Sequence, residues 1–211
     1  MDVKEFKQLP ILGILRGVAA KDIVALTETI IASGLKTIEI TMNTENAANL
    51  IREAVKIAQK RLMIGAGTVL DMESLKNALK AGATFIVMPT LIEDVTAYCV
   101  KHKIPVFPGA LTPQEIYMAH QSGATMVKVF PAGFFGAAYF KEIKGPFSEI
   151  ELLACSGVTP ENLGDYFASG AGAVAFGASV FRKEWIAKKD FTSIQSAIKK
   201  LVAAYAQREG N

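Results

Sequence analysis

The chain has 211 residues, of which 51% are hydrophobic and 20% are charged, and its formal net charge is +3. This length suits one domain with a substantial core, and a composition this apolar excludes intrinsic disorder. The Lys and Arg residues are scattered, so no basic block or stripe indicates a nucleic-acid-binding protein.

Short β-rich apolar runs alternate with longer amphipathic segments along the chain, after a short extra helix that we expect within residues 2–9. The predicted strands cover residues 11–16, 36–42, 62–67, 84–88, 105–107, 125–130, 149–155 and 173–177. The predicted helices cover residues 20–33, 45–59, 71–81, 92–102, 112–121, 136–144, 160–169 and about 190–208. Strands that alternate with helices form parallel βαβ units, and eight such units predict one α/β domain over residues 1–211, a single (β/α)8 TIM barrel.

Two local signals mark the ends of the predicted helices. Thr112-Pro113 and Thr159-Pro160 each place an N-cap residue before a proline at the first helical position. A glycine that stops the helix follows four of the predicted helices, at Gly34, Gly82, Gly123 and Gly170.

Lys128 and Glu39 are the most informative residues for function, because each lies inside a predicted strand that is otherwise largely apolar. Alternation along a strand directs both side chains into the barrel. Burial disfavours the charged form of an amine, so Lys128 fits a neutral nucleophile that forms a Schiff base. The alternatives are a lysine whose tip reaches solvent and a structural Glu–Lys pair.

Other candidate site residues lie at the carboxyl ends of the strands, where active sites of such barrels form. The ends of the seventh and eighth strands are the expected phosphate site, since small residues there expose backbone N–H groups to an anion. Its candidates are Ser156, Gly157, Gly177 and Ser179. Arg16 could hold a carboxylate through charge-assisted hydrogen bonds, although the alternatives are a surface salt bridge for this arginine and simple turns for the glycines. The candidate substrate-binding residues are Arg16, Asn43, Thr68, Pro89 and Phe130.

The residues that a metal or thiol site would need are missing from these strand ends. His102 and His120 fall near the ends of predicted helices, so no histidine-rich metal site is expected. Cys155 has no histidine base beside it in the predicted fold, and neither Cys99 nor Cys155 lies in a CxxC motif. We therefore expect no metal and no organic cofactor.

The N-terminal segment does not have the pattern of a signal peptide, because residues 1–15 carry acidic residues and only a short apolar run. No apolar stretch approaches the roughly 20 residues that span a bilayer. We expect a cytoplasmic protein that binds neither membrane nor nucleic acid.

The motifs resemble, in order and spacing from end to end, those of the 2-keto-3-deoxy-6-phosphogluconate / 4-hydroxy-2-oxoglutarate (KDPG/KHG) aldolases, class I enzymes with a (β/α)8 fold. The segments that carry the resemblance are LGILRG (12–17), KTIEITMNT (36–44), IGAGTVL (64–70), PVFPGALTPQE (105–115), VKVFPAGFFG (127–136), GPF (145–147), SGVTPENLGDY (156–166) and GASVF (177–181). The resemblance implies that Lys128 is the Schiff-base lysine, that Glu39 transfers protons and that Thr68 holds the pyruvate moiety. It also implies a homotrimer and a phosphate site on the loops after strands seven and eight.

Two positions depart from the family pattern. The phosphogluconate enzymes often carry an arginine where this chain has Asn43, and the combination of LRG with asparagine is more like the branch that acts on 6-phosphogalactonate. Arg16 would then bind the substrate carboxylate. The family typically has Gly-Gly where this chain has Ser156-Gly157, which leaves the affinity for phosphate open.

The resemblance implies cleavage of 2-keto-3-deoxy-6-phosphogluconate, or of its galactonate epimer, to pyruvate and glyceraldehyde 3-phosphate. One alternative is an aldolase for 4-hydroxy-2-oxoglutarate, which would give pyruvate and glyoxylate. The others are a sugar-phosphate isomerase or epimerase without a covalent intermediate and a barrel that binds a sugar phosphate without catalysis.

Overall fold

The computed structural model describes residues 1–208, so the last three residues of the predicted 1–211 domain lie outside the described part. Its strands are β1 (Ile11–Leu15), β2 (Thr37–Thr41), β3 (Met63–Gly67), β4 (Ile86–Val87), β5 (Val106–Phe107), β6 (Gly109–Ala110), β7 (Val127–Val129), β8 (Leu152–Cys155) and β9 (Ala173–Phe176). Its α-helices are α1 (Val3–Gln8), α2 (Ile23–Ala32), α3 (Ala47–Ala58), α4 (Met72–Ala81), α5 (Glu93–Lys101), α6 (Pro113–Gln121), α7 (Gly136–Lys144), α8 (Leu163–Ala168), α9 (Lys183–Ala187) and α10 (Phe191–Arg208). Two 3-10 turns cover Ala20–Asp22 and Ala132–Phe134.

The strands form one parallel sheet in the order β5-β4-β3-β2-β1-β9-β8-β7-β6. The end strands β5 and β6 are two halves of one barrel strand, separated by Pro108, whose ring nitrogen has no hydrogen to donate to a ladder. On one side of this strand the Met88 N–H donates to the Phe107 carbonyl (3.1 Å), and on the other the Lys128 N–H donates to the Pro108 carbonyl (2.9 Å). These bonds close the sheet, and the predicted TIM barrel is confirmed.

The eight predicted strand–helix units are present, and most differences are at their edges. The short helix α9 and the turn Ala132–Phe134 were not predicted, because neither is long enough to show a helical period. The strand Gly109–Ala110 was also missed, since it follows the proline that ends its first half.

Thr112 caps α6 as predicted, whereas the helix start predicted at Thr159-Pro160 is wrong by three residues, since α8 begins at Leu163. The Asn162 side chain accepts a hydrogen bond from the Thr159 N–H (2.8 Å) and donates one to the Gly157 carbonyl (2.8 Å). These bonds hold the intervening residues in a turn. The predicted stops are confirmed by positive φ angles at Gly34, Gly82, Gly123 and Gly170.

Two apolar layers result from the alternation along the strands. The inner cluster fills the barrel and includes Phe6, Leu12, Phe85, Phe107 and Leu153. The outer cluster lies between the strands and the surrounding helices. Helix α1 covers the amino end of the barrel, where the Met1 amino group donates to the Thr84 carbonyl just before β4 (3.0 Å). The carboxyl ends of the strands are therefore the end of the barrel at which an active site can form.

Candidate active site

Lys128 and Glu39 are the central residues of β7 and β2. Their direct neighbours along each strand belong to the outer cluster, so both side chains point into the barrel, as expected. Lys128 is 5% exposed and Glu39 is 1% exposed. The barrel therefore encloses a lysine and a glutamate that are 89 residues apart in the sequence (128 − 39).

Glu39 has an unusual electrostatic environment. Burial raises the pKa of its carboxyl group, and the positive charges of Lys128 and then Arg16 oppose that shift. Its Oε2 atom is buried and has no hydrogen-bond partner among the residues described. A buried acceptor without a partner costs free energy, so this oxygen is available to a substrate group or a water molecule.

Two glycines of β3 make room for side chains inside the barrel, one for Glu39 and one for Phe85. A Cβ atom at Gly67 would overlap the Glu39 carboxylate, and a Cβ atom at Gly65 would lie 2.5 Å from the Phe85 ring. Neither glycine was singled out from the sequence. Their need for space depends on side chains of neighbouring strands, which no local pattern reveals.

Lys128 contacts two side chains at the barrel mouth. Its Nζ lies 5.4 Å from the centroid of the Phe130 ring, and its charge acts on the nearby Cys155 thiol. Burial raises the pKa of the Cys155 thiol, and the Lys128 charge opposes that shift. A thiol with a raised pKa is a weak nucleophile, so Cys155 packs against the lysine rather than competing with it.

Arg16 and Thr68 come together beside this pair. The Arg16 Nη2 donates to Thr68 Oγ1 (3.3 Å), and Thr68 has a left-handed backbone with φ of 54°. Thr44, which the sequence did not single out, accepts a hydrogen bond from the Gly17 N–H (2.9 Å). This bond ties the loop after β1 to the loop after β2 and so fixes the segment that carries Arg16.

A cavity of about 790 Å³ opens at this end of the barrel. Six of the predicted site residues line it, namely Arg16, Phe130, Ser156, Gly157, Gly177 and Ser179. Phe130 and Cys155 both line the cavity and are close to Lys128, so the lysine lies next to the cavity although it does not line it. The phosphate candidates thus line this cavity, and the catalytic candidate Lys128 lies next to it.

Three of the predicted substrate-binding residues, Asn43, Thr68 and Pro89, are not among those that line the cavity, although Thr68 is bonded to Arg16, which does line it. Asn43 is exposed beyond β2, and Pro89 is half-buried after β4. The Pro89 carbonyl lies so close to Gly109 that a Cβ atom at that position would overlap it. Pro89 therefore helps to close the barrel. A role for any of the three in substrate binding stays a prediction.

The loops after β8 and β9 offer backbone donors to an anion. The N–H groups of Gly157, Ala178 and Ser179 make no hydrogen bond within residues 1–208. Ser156 has φ of 86°, a left-handed conformation that is uncommon for a residue with a side chain. A Cβ atom at Gly157 would lie 2.8 Å from the Cα atom of Gly133, so only glycine fits there. Free N–H groups in such loops are suited to a phosphate.

Within residues 1–208, no group of three or more His, Cys, Asp or Glu residues could hold a metal ion. His102 is exposed at the end of α5, and His120 is half-buried in the last turn of α6, both away from the strand ends. None of the helices of the described chain is both long and apolar enough to cross a membrane.

The chain matches known proteins over most of its length. A family model for KDPG and KHG aldolase matches residues 3–197. The chain is 32% identical to a 2-dehydro-3-deoxy-6-phosphogalactonate aldolase of Escherichia coli, over 83% of this chain and 86% of the relative. It is 30% identical to a 2-dehydro-3-deoxy-phosphogluconate aldolase of Pseudomonas aeruginosa, over 97% of this chain and 91% of the relative. A native KDPGal structure superposes with a TM-score of 0.90 and 29% identity, over 97% of this chain and 98% of that one.

Proposed function

Because the chain belongs to the KDPG and KHG aldolase family, we propose that it cleaves 2-keto-3-deoxy-6-phosphogluconate or its galactonate epimer to pyruvate and glyceraldehyde 3-phosphate. Membership makes it a lyase that acts on a small molecule. The observation that carries the proposal is the buried Lys128–Glu39 pair beneath a cavity that ends in free backbone N–H groups. One end of this cavity suits a keto acid and the other a phosphate.

Lys128 forms the covalent bond to the substrate. Its amine, in the neutral form, attacks the ketone carbon, and loss of water gives an imine. Arg16 and Thr68, joined by their hydrogen bond, lie at the same mouth and would hold the substrate carboxylate. Arg16 thus supplies the carboxylate-binding arginine that position 43, an asparagine in this chain, does not.

Glu39 moves the protons of the cleavage step. It removes the proton of the carbon-4 hydroxyl, directly or through a water molecule, and the bond between carbons three and four breaks. The electron pair moves into the imine to give an enamine, and glyceraldehyde 3-phosphate leaves. Glu39 then returns a proton to carbon three, and hydrolysis of the imine releases pyruvate. A carboxyl group whose pKa is raised by burial is suited to act as base and then as acid.

The size of the cavity supports a phosphorylated substrate. At about 790 Å³ it extends from Phe130, beside the lysine, to the loops after β8 and β9, which is more room than a pyruvate moiety needs. The departure at Ser156 supports the second candidate, an aldolase for 4-hydroxy-2-oxoglutarate. A comparison of kcat/KM for the two phosphorylated epimers and for 4-hydroxy-2-oxoglutarate decides between these candidates.

Borohydride reduction in the presence of pyruvate tests the Schiff base directly. We expect a reduced pyruvate adduct, seen by intact mass and assigned to Lys128 by peptide mapping. Lys128→Ala should lose the adduct, whereas Lys36→Ala, an exposed lysine before β2, should keep it. A folded wild-type protein that gives no adduct would contradict the aldolase mechanism and favour an isomerase or epimerase.

We further propose that the enzyme is a homotrimer that works in the cytoplasm. Phe134 and Phe135 are 85% and 55% exposed on the loop after β7, which supports their burial against another copy. Cys99 and Cys155 are free thiols, as is usual in a reducing compartment. Sedimentation equilibrium tests the trimer, and cell fractionation tests the compartment.

A further inference from the structure

The proposed phosphate end of the cavity has an incomplete charge balance. A phosphate ester carries up to two negative charges, yet the four residues predicted to bind it are serines and glycines. Backbone N–H groups supply only partial positive charge. A site that selects phosphate therefore calls for a cationic side chain, and none was predicted from the sequence at this end.

Arg182 lies in the wall of this cavity beside the candidate phosphate residues Ser179 and Gly177. Its Nε donates to the Ser179 carbonyl (3.2 Å). Its guanidinium group lies 4.6 Å from the centroid of the Trp185 ring. These two contacts, one to the loop after β9 and one to the helix α9, orient the guanidinium group of this exposed side chain.

The unused donors of Arg182 match a phosphate. Only Nε has a hydrogen-bond partner in the described chain, so the N–H groups of both terminal nitrogens remain available. Arginine binds phosphate oxygens through two parallel hydrogen bonds of this kind. Lys183 adds a second cation to the same wall and Glu184 adds one carboxylate.

Arg182 also borders a second cavity of about 440 Å³, on the outer side of the same loop. Trp185 lines that outer cavity, and Val158 and Ser179 line both. The arginine thus borders both cavities, and its guanidinium group lies close to the Trp185 ring. This position makes Trp185 a support for the guanidinium rather than a contact of the substrate.

We propose that Arg182 determines the specificity of the enzyme for a phosphorylated substrate and that Trp185 is its positioning residue. This inference rests on the proposed aldolase function and names the side chain that supplies the missing charge. Substrates without a phosphate, including pyruvate itself, do not reach Arg182 and do not depend on it.

The test compares Arg182→Gln and Arg182→Lys with a matched control, Arg208→Gln. Arg208 also stacks on aromatic rings, 4.4 Å from the centroid of Phe167 and 4.7 Å from that of Tyr205, but it is on α10 and does not border the cavity. The phosphorylated substrate is followed by steady-state kinetics. The reaction without phosphate is the exchange of pyruvate methyl protons in D2O, which needs Lys128 and Glu39 only.

We expect Arg182→Gln to raise KM for the phosphorylated substrate by about 10- to 100-fold and to change kcat by less than about threefold, as for loss of a charge-assisted hydrogen bond. Arg182→Lys should raise KM by a smaller factor, because it keeps the charge but not the planar fork. Trp185→Leu should also raise KM selectively. Inhibition of the wild type by inorganic phosphate should weaken in Arg182→Gln by a similar factor, and pyruvate exchange should stay within about twofold.

Equal losses in both assays, an unchanged KM, or the same loss in Arg208→Gln would overturn the role of Arg182. The borohydride adduct at Lys128 separates this outcome from failure of the aldolase proposal. If wild-type protein forms the adduct and Arg182→Gln shows no selective change, only the inference about Arg182 is wrong. If wild-type protein forms no adduct, the proposed function and the inference both fail.

Discussion

At the scale of single residues, Glu39, the proposed proton-transfer group, also affects how stability depends on pH. Its pKa is raised by burial above the ordinary value of 4.5, so the folded protein holds this proton to a higher pH than the unfolded chain does. The folded state therefore binds more protons in that window, and the free energy of unfolding falls as pH rises from the unfolded pKa through the folded one.

Glu39→Gln removes this titration while keeping the size of the side chain. We expect the variant to be more stable than wild type at pH 8 by about 1 to 3 kcal/mol, because a buried charge is replaced by a neutral amide. The difference in stability should vanish near pH 4. The kcat of the variant should be lower than that of wild type by about 10²- to 10⁴-fold. Urea unfolding across this pH range measures the difference. The exposed Glu53→Gln is the control, and an equal, pH-independent effect of both variants would contradict the assignment.

Gly67 shows how a residue without a side chain shapes the site. In Gly67→Ala the new methyl group would overlap the Glu39 carboxylate, so the glutamate must move. We expect a loss of about 1 to 3 kcal/mol of stability and a fall in kcat of at least about tenfold. Gly164→Ala is the control, because no atom lies within 4 Å of its added Cβ on α8. Calorimetry and pyruvate exchange on both variants give the comparison, and an active Gly67→Ala enzyme would show that Glu39 tolerates displacement.

At the scale of elements, two Thr-Pro motifs have different structural roles. Thr112 accepts a hydrogen bond from the Glu115 N–H (3.3 Å), and Glu115 Oε2 accepts one from the Thr112 N–H (2.9 Å), which completes a capping box. These bonds, with one from the Leu111 N–H, lower the pKa of Glu115. Thr159 caps no helix, because α8 starts at Leu163.

Replacing each threonine with alanine should separate these two motifs. We expect Thr112→Ala to cost about 1 kcal/mol, the usual loss for an N-cap, and Thr159→Ala to cost less than about 0.5 kcal/mol. Urea denaturation at pH 7 measures both. A larger loss in Thr159→Ala would mean that the turn before α8 contributes more than its backbone bonds indicate.

The parts of the structure that sequence reasoning reached are those fixed by local periodicity. The inward orientation of Lys128 and Glu39 followed from alternation along two strands, and their meeting followed from closure of eight units into a barrel. Arg182 and Cys155 were not assigned to the site. The proximity of Cys155 to Lys128 depends on the stagger of neighbouring strands. The place of Arg182 depends on how α9, only five residues long, packs beside the loop after β9.

At the scale of the whole molecule, the two ends of the barrel differ in structure, because one is packed with apolar side chains and the other contains the cavity. The amino end is filled by apolar side chains and covered by α1, whose Phe6 is 1% exposed and lies 6.1 Å from Phe107 between ring centroids. The carboxyl end holds Lys128, Glu39 and the cavity. The packed core therefore lies at one end and the proposed active site at the other, as is usual for this fold.

Phe6→Ala tests this division. Loss of a fully buried aromatic ring should cost about 3 to 5 kcal/mol, whereas Lys4→Ala, an exposed residue of the same helix, should cost less than about 0.5 kcal/mol. Because Phe6 is at the opposite end from the cavity, the folded fraction of Phe6→Ala should exchange pyruvate protons at the wild-type rate. Thermal unfolding gives the stability, and exchange rates at 10 °C, corrected for the folded fraction, give the activity. A corrected rate that falls more than about tenfold would mean that packing at the amino end positions Lys128 or Glu39.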